Sequence, residues 1–378
     1  MNKDNKKGGV FLGLDVHKES IDVAIAPSDS LEVRHYGTIG GDINALDKVV
    51  RRLQLEGSVL TVAYEAGPCG FEIYRYCRKK GIECLVVAPS RIPRKPADRV
   101  KTDRRDAQTL ARLLRAGELT GIYVPSEEDE SLRDLTRARE QAMIQYGRAR
   151  KQLLMFLMRH GIVYTGKTHW GKEHMNYLSR INLPIVSQQI VFQETLHMIQ
   201  ESHSRMERLT REIESQLESW RWAPVVKALR SLRGVSTVIA TGLVAELGDL
   251  ERFGHPRALM AYLGLVPSEH SSGATRRQGF ITKTGNVHVR RLLVEAAWAY
   301  LRGPKVSEII RKRQQDLPQP IIDIAWRAQL RLCKKYRRMI LKGKNSKLAA
   351  VAVARELAGF VWEIQRSVVL SQRQMIAA

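Results

Sequence analysis

No apolar run in this sequence approaches the roughly 20 residues that a bilayer-spanning helix needs, so no membrane partner is expected. Cysteine is equally sparse. Cys69, Cys77, Cys84 and Cys333 form no CxxC pair, which argues against a disulfide-stapled secreted module and for free, mostly buried thiols. The 10 histidines show neither HExxH nor CxxC…H spacing, so a zinc site is not expected and any metal should be hard and oxygen-bound. The N-terminal MNKDNKKGG is charged and runs into a short alternating strand instead of an apolar signal core. No secretion signal is read there, and the expected location is the cytoplasm. Acid is also in deficit, with 39 Asp and Glu against 62 Lys and Arg and a net charge of +23. Such a balance suits nucleic acid, and would also suit an anionic surface.

A chain of 378 residues with 44% hydrophobic content has enough apolar material for two or three domains. VFLGLDVHKESIDVAIAP alternates apolar and polar residues around a polar turn at residues 17–20, the pattern of a hairpin. A third strand is expected at residues 32–38. INALDKVVRRLQ has helical spacing, SVLTVAYEAGP is a strand ending in turn residues, FEIYRYCRKKG is a helix closed by Gly81, and ECLVVAP is a further strand. The order β-β-β-α-β-α-β-α predicts an α/β unit with a mixed five-stranded sheet of the ribonuclease H type over residues 1–126.

Beyond it the period becomes helical. Leu132, Leu135, Arg139, Ala142, Tyr146, Ala149, Leu153 and Phe156 alternate spacings of three and four, and Phe192, Leu196, Ile199, His203, Met206, Thr210, Ile213, Leu217 and Trp220 do the same. Residues 127–223 are therefore expected to form an all-α hairpin or a coiled-coil arm that brings subunits together. From Pro224 to residue 378 a third, mainly helical region is expected. Its opening VVKALRSLRGVSTVIATGLVAELGDLERF resembles a helix–hairpin–helix, whose turn can hold a phosphate, and is equally compatible with an ordinary helical turn in a core.

Four acids stand out in the first region. Asp15 lies in the first strand, Glu65 ends the fourth, and Asp103 and Asp106 are three apart at the start of a helix. An acidic cluster in a basic protein repels itself unless cations neutralise it. Such a set suits one or two Mg²⁺ ions, with Mn²⁺ able to substitute. Singly the acids have plainer readings: Asp103 as a helix cap, Asp106 as a partner of Arg104 or Arg105.

GLDVHK, YEAGP and KTDRRDA, followed by SLRGVSTVIATGLVAELGDLERF and AYLGLVPSEHSSGATRRQGFITKTGNVHVRRLLVEAAW, together resemble the bridge-RNA-guided transposases of the insertion-sequence one-ten family. The resemblance implies a RuvC-like domain with a DEDD motif, and Asp15, Glu65, Asp103 and Asp106 map onto its metal-binding acids. Ser272, directly before Gly273, maps onto the family's catalytic serine, with Ser271 beside it. The likeness further implies a covalent phosphoserine intermediate and a composite site shared between protomers of a homo-oligomer, dimer or tetramer. It also implies double-stranded DNA as substrate, taken from element ends and target, and a structured noncoding guide RNA.

Basic residues follow the serine. Arg276, Arg277, Lys283, Arg290 and Arg291 are expected to bind phosphates, as are Lys334, Lys335, Arg337, Arg338, Lys342 and Lys344 in a later helix. The residues themselves offer no local base for the serine. The leading reading is a transposase that excises and inserts its own element. A metal-dependent Holliday-junction resolvase-like nuclease using water, and a non-catalytic nucleic-acid-binding protein, are the alternatives.

Overall fold

The computed structural model describes residues 8–93, 102–269, 271–272, 275 and 277–377. Two compact units result, Met1–Val124 and Pro125–Ala378.

In the first unit the chain runs through β1 (Gly9–Val16), β2 (Ser20–Pro27), β3 (Arg34–Gly40), α1 (Ile43–Leu55), β4 (Val59–Glu65), α2 (Glu72–Lys79), β5 (Glu83–Val87) and α3 (Asp103–Arg115). The sheet has the order β3-β2-β1-β4-β5. β1 pairs antiparallel with β2 and β2 with β3, whereas β4 lies parallel to both β1 and β5. This is the mixed five-stranded sheet that the element order predicts. β3 starts later than expected because Arg115 draws the carbonyls of Ser30, Leu31 and Glu32 onto its guanidinium, which holds them as loop.

The two faces of this sheet differ in side-chain size. Leu12, Leu14, Ile21, Val23, Ile25, Val62 and Tyr64 pack with Leu46, Val49, Val50 and Leu53 of α1 and Ile73 and Cys77 of α2, each large side chain contributing about 1.5–3 kcal/mol by burial. The opposite face carries Gly13, Ala24, Ala26 and Ala63, and α3 lies on it through Ala107, Leu110 and Ala111. A Cβ at Gly13 would stand 2.2 Å from the Ala107 carbonyl oxygen and 2.3 Å from the Ala111 nitrogen. Helix and strand backbones are therefore nearly in contact, which only glycine permits.

The second unit begins with α4 (Glu127–Arg159), α5 (Lys172–Leu178) and α6 (Val186–Leu217). α4 and α6 fold back on each other: Arg139 Nε donates to Thr210 Oγ1, and the Tyr146 ring lies 5.1 Å from that of His203. Ala149, Leu153, Leu157, Phe192 and Ile199 fill the seam, so the heptad pattern is satisfied within one chain as an antiparallel hairpin. There follow α7 (Ala223–Leu229), α8 (Thr237–Leu247), α9 (Pro256–Tyr262), β6 (Pro267–Glu269), β7 (Gln278–Ile281), α10 (Val287–Ala297), α11 (Glu308–Gln314), α12 (Gln319–Leu341) and α13 (Ser346–Ala377).

α8 is buried almost all round, from Ile239 to Leu247, as a central helix must be. Leu132 of α4 and Trp220 join the same core as α7, α8, α10, α12 and α13. The sequence pattern sets a boundary at residue 223, but this core runs across it. Gly234, in the turn between α7 and α8, has φ 80°, and a Cβ there would lie 2.3 Å from the Ala296 carbonyl oxygen. The hairpin turn is thus packed against the end of α10. Among the described residues no helix is long and apolar enough to cross a membrane.

Candidate active site

The close approach of α3 to Gly13 decides where the acids of the first unit meet. Asp15 is two residues along β1 from Gly13, hence on the same face, under the beginning of α3. Thr102 caps that helix, its Oγ1 accepting from the Arg105 backbone nitrogen at 3.4 Å. The cap role open to Asp103 therefore falls to Thr102, leaving Asp103 and Asp106 in the first turn at the positive end of the helix dipole. Leu14 and Tyr64 are parallel partners and both face the large-residue core, so Asp15 and Glu65 are the next residues on adjacent strands, turned to the α3 face.

Asp15, His17 and Asp103 form a group whose potential ligand atoms all lie within 4.8 Å of one another. His17 Nε2 stands 3.4 Å from Asp15 Oδ2 and 3.4 Å from Asp103 Oδ2. Glu65 and Asp106 stand outside that trio. Burial pushes the Asp15 carboxyl above its ordinary value; the positive potential of His17 opposes this, and the Asp106 and Asp103 charges reinforce it. Asp106 therefore acts on Asp15 electrostatically. An octahedral ion with ligands at about 2.1 Å sets adjacent donors about 3.0 Å apart and opposed ones about 4.2 Å apart. The trio fits such an ion after a small inward rotation of side chains.

Two residues here escape a reading of the sequence alone. His17 lies in a turn, where a polar residue needs no explanation. Asp22 is the direct cross-strand partner of Asp15, is only 7% exposed, and accepts from Thr38 Oγ1 at 3.0 Å and meets His35 Nε2 at 2.8 Å. Strand alternation across the hairpin is the signal that pairs residues 15 and 22.

Ser272 is exposed at the end of the β6–β7 hairpin, exchanging backbone hydrogen bonds with Thr275 at 3.2 and 3.1 Å. Gly273 and Arg276 lie outside the described residues. Ser271 has the carboxylate neighbour that the sequence did not reveal: its Oγ donates to Glu269 Oε1 at 2.9 Å and accepts from the Arg277 backbone nitrogen at 3.3 Å. Gln278 Nε2 donates to the other Glu269 oxygen at 3.3 Å. Ser271 is thereby a cross-link of the hairpin.

The basic residues separate into two groups. Arg277, Lys283, Lys334, Arg337 and Arg338 are exposed. Arg290, however, donates to the carbonyls of Leu263 and Thr284, and Arg291 bonds Glu140 at 2.6 Å and Glu295 at 2.8 Å. Lys335 pairs with Glu356 at 2.6 Å. These three are engaged with internal partners because the serine hairpin must be joined to α10 and α4, and α12 to α13. Asn286 and Arg137 both donate to Glu246 at the same junction.

Comparison with known proteins agrees in both units. A DEDD transposase family model of the IS110 type matches residues 12–161, and a model described as the transposase IS116/IS110/IS902 family matches residues 226–310. A Sinorhizobium fredii relative carrying the transposase name y4qE is 42% identical over 357 residues, covering 94% of this chain and 88% of its own. The transposase for insertion sequence element IS1533 of Leptospira borgpetersenii is 33% identical over 90% of this chain and 99% of its own length. That for IS1111A of Coxiella burnetii is 24% identical over 61% of this chain and 63% of its own.

Proposed function

Because this chain belongs to the IS116/IS110/IS902 family of transposases, enzymes that cleave and rejoin DNA, we propose that it moves its own element through a divalent metal centre and a serine nucleophile. The observation that carries the reading is the meeting of Asp15 and Asp103, 88 residues apart in sequence, at the end of β1 beneath α3. Residues 1–126 serve as a RuvC-like, ribonuclease H-type domain, 127–223 as a helical arm for self-association, and 224–378 as the serine domain.

Asp15, Glu65, Asp103 and Asp106 hold Mg²⁺ or Mn²⁺, which when bound neutralises charge on the scissile phosphate. Ser272 Oγ attacks phosphorus, gives up its proton, and expels the 3′ oxygen as a hydroxyl. The DNA is left joined through its 5′ phosphate to the serine. A phosphodiester replaces a phosphodiester, so rejoining to a new 3′ hydroxyl needs no further energy source. Arg277 and Lys283 on the hairpin, and Lys334, Arg337 and Arg338 on α12, bind DNA or RNA phosphates. A structured noncoding guide RNA supplies the choice of sequence by base pairing.

The test is to incubate the full-length protein with element-end DNA, Mg²⁺ and the flanking RNA, and to look for protein covalently joined to DNA on a denaturing gel. The adduct is expected with the native chain and absent in Ser272→Ala and Asp15→Asn. Cleavage that persists in Ser272→Ala without an adduct would mean hydrolysis by water.

A further inference from the structure

We propose that His17 is itself a ligand of the divalent ion and biases this centre towards Mn²⁺ over Mg²⁺. The inference rests on the metal-centre reading of Asp15 and Asp103, and goes beyond its all-carboxylate donor set.

Geometry is the first reason. A charge-assisted hydrogen bond from an imidazolium to a carboxylate closes to about 2.7–2.9 Å, yet His17 Nε2 stands 3.4 Å from Asp15 Oδ2 and 3.4 Å from Asp103 Oδ2. It is committed to neither acid and equidistant from both. That spacing approaches the edge of about 3.0 Å between neighbouring donors on one octahedral ion. A simple ion pair would have collapsed onto one partner.

The turn that carries His17 is also fixed. Its backbone nitrogen donates to the Ser20 carbonyl at 2.9 Å, and Gly41 donates to the Glu19 carbonyl at 3.0 Å. A Cβ at Gly41 would lie 2.6 Å from the Lys18 carbonyl oxygen, so the following loop closes directly over the turn. The imidazole is thus presented by a braced hairpin, as preorganised ligands are. His17 and Asp103 remain open on their outer side, with side-chain exposures of 49% and 56%. That leaves positions for water and for phosphate oxygens, as catalytic metal sites require.

Donor chemistry gives the selectivity. Mg²⁺ takes oxygen ligands almost exclusively, whereas imidazole suits first-row transition ions. Replacing one oxygen by Nε2 therefore favours Mn²⁺.

The experiment uses full-length protein and Mn²⁺ alone, with pulsed electron paramagnetic resonance to detect nitrogen bound to the ion and calorimetry to measure affinity. The native chain should show imidazole nitrogen coupling. His17→Gln, which retains hydrogen-bonding groups but removes the imidazole, should lose that coupling and about tenfold or more in Mn²⁺ affinity, with a smaller loss for Mg²⁺. Bound Mn²⁺ without nitrogen coupling, or equal losses for both ions, overturns the role of His17. Asp15→Asn separates the two levels: if it binds Mn²⁺ as the native chain does, the metal-centre reading itself fails, and His17 with it. Native protein that binds no Mn²⁺ overturns both.

Discussion

At Gly13 a single missing methyl group sets the geometry of the centre. Gly13→Ala would force its new Cβ into the backbone of α3, 2.2 Å from the Ala107 oxygen, where no side-chain rotation can relieve the clash. It should cost roughly 1–3 kcal/mol or more in chemical denaturation, and reduce metal affinity as Asp103 moves off Asp15. Asp15 itself should behave in the opposite sense. Its carboxyl is raised by burial and by Asp106 and Asp103, so the folded state binds its proton more tightly than the unfolded chain does. Stability in EDTA is then lost as pH rises from the ordinary carboxylate value through the raised one. Asp15→Asn should abolish cleavage yet melt at or above the native temperature at pH 7, the difference vanishing in acid. A native protein that melts higher than the variant at neutral pH without metal would contradict this. The sequence makes Asp15 and Asp103 legible because they stand at element ends. It hides Gly13 and His17, since a glycine in a strand and a histidine in a turn have many ordinary explanations.

At the scale of elements, the long helices are readable from periodicity and their pairing is not. A heptad pattern specifies an apolar seam but not whether the partner lies in the same chain; α4 and α6 supply it for each other. The hairpin is closed at its base by Asp129, 1% exposed, which accepts from Trp220 Nε1 at 2.9 Å and from the Arg221 guanidinium. Burial opposes its charge, but hydrogen bonds from Arg221 and Trp220 outweigh that and hold its carboxyl below the ordinary value. Its contribution to stability is present above the unfolded carboxylate pKa and lost as pH falls through the depressed one. Asp129→Ala should cost about 3–5 kcal/mol by leaving partners unpaired in the core, measured by denaturation of the whole chain. The basic residues teach the same lesson. Arg290 and Arg291 sit in a run of cations, and only the fold reveals carbonyls and Glu140 as their partners. A charge run in sequence counts cations without showing which acid will fold back to meet them.

For the whole molecule, a net charge of +23 makes DNA affinity a matter of released counterions. Binding should weaken steeply with salt, and the combined substitution of Lys334, Arg337 and Arg338 by Ala should lower the slope of log affinity against log salt by about 2–3, near 0.9 for each phosphate no longer neutralised. Arg290→Ala should instead lower thermal stability and leave that slope nearly unchanged, because its guanidinium serves the protein's own carbonyls. Filter binding from low to moderate salt checks both; a flat slope for the triple variant would move the nucleic-acid surface elsewhere.

The placement of α3 across β1 also has a consequence for synthesis on the ribosome. Asp15 emerges early, but Asp103 waits for β2 to β5 to be made, and the close approach at Gly13 forms only when α3 can close onto a finished sheet. Until then the nascent chain holds no assembled centre, because the loop that must close is long and its ordering is repaid only by the completed packing. A truncated or stalled product ending before Arg115 therefore cannot nick the genome that encodes it. Acquisition of cutting power and completion of the sheet are one event.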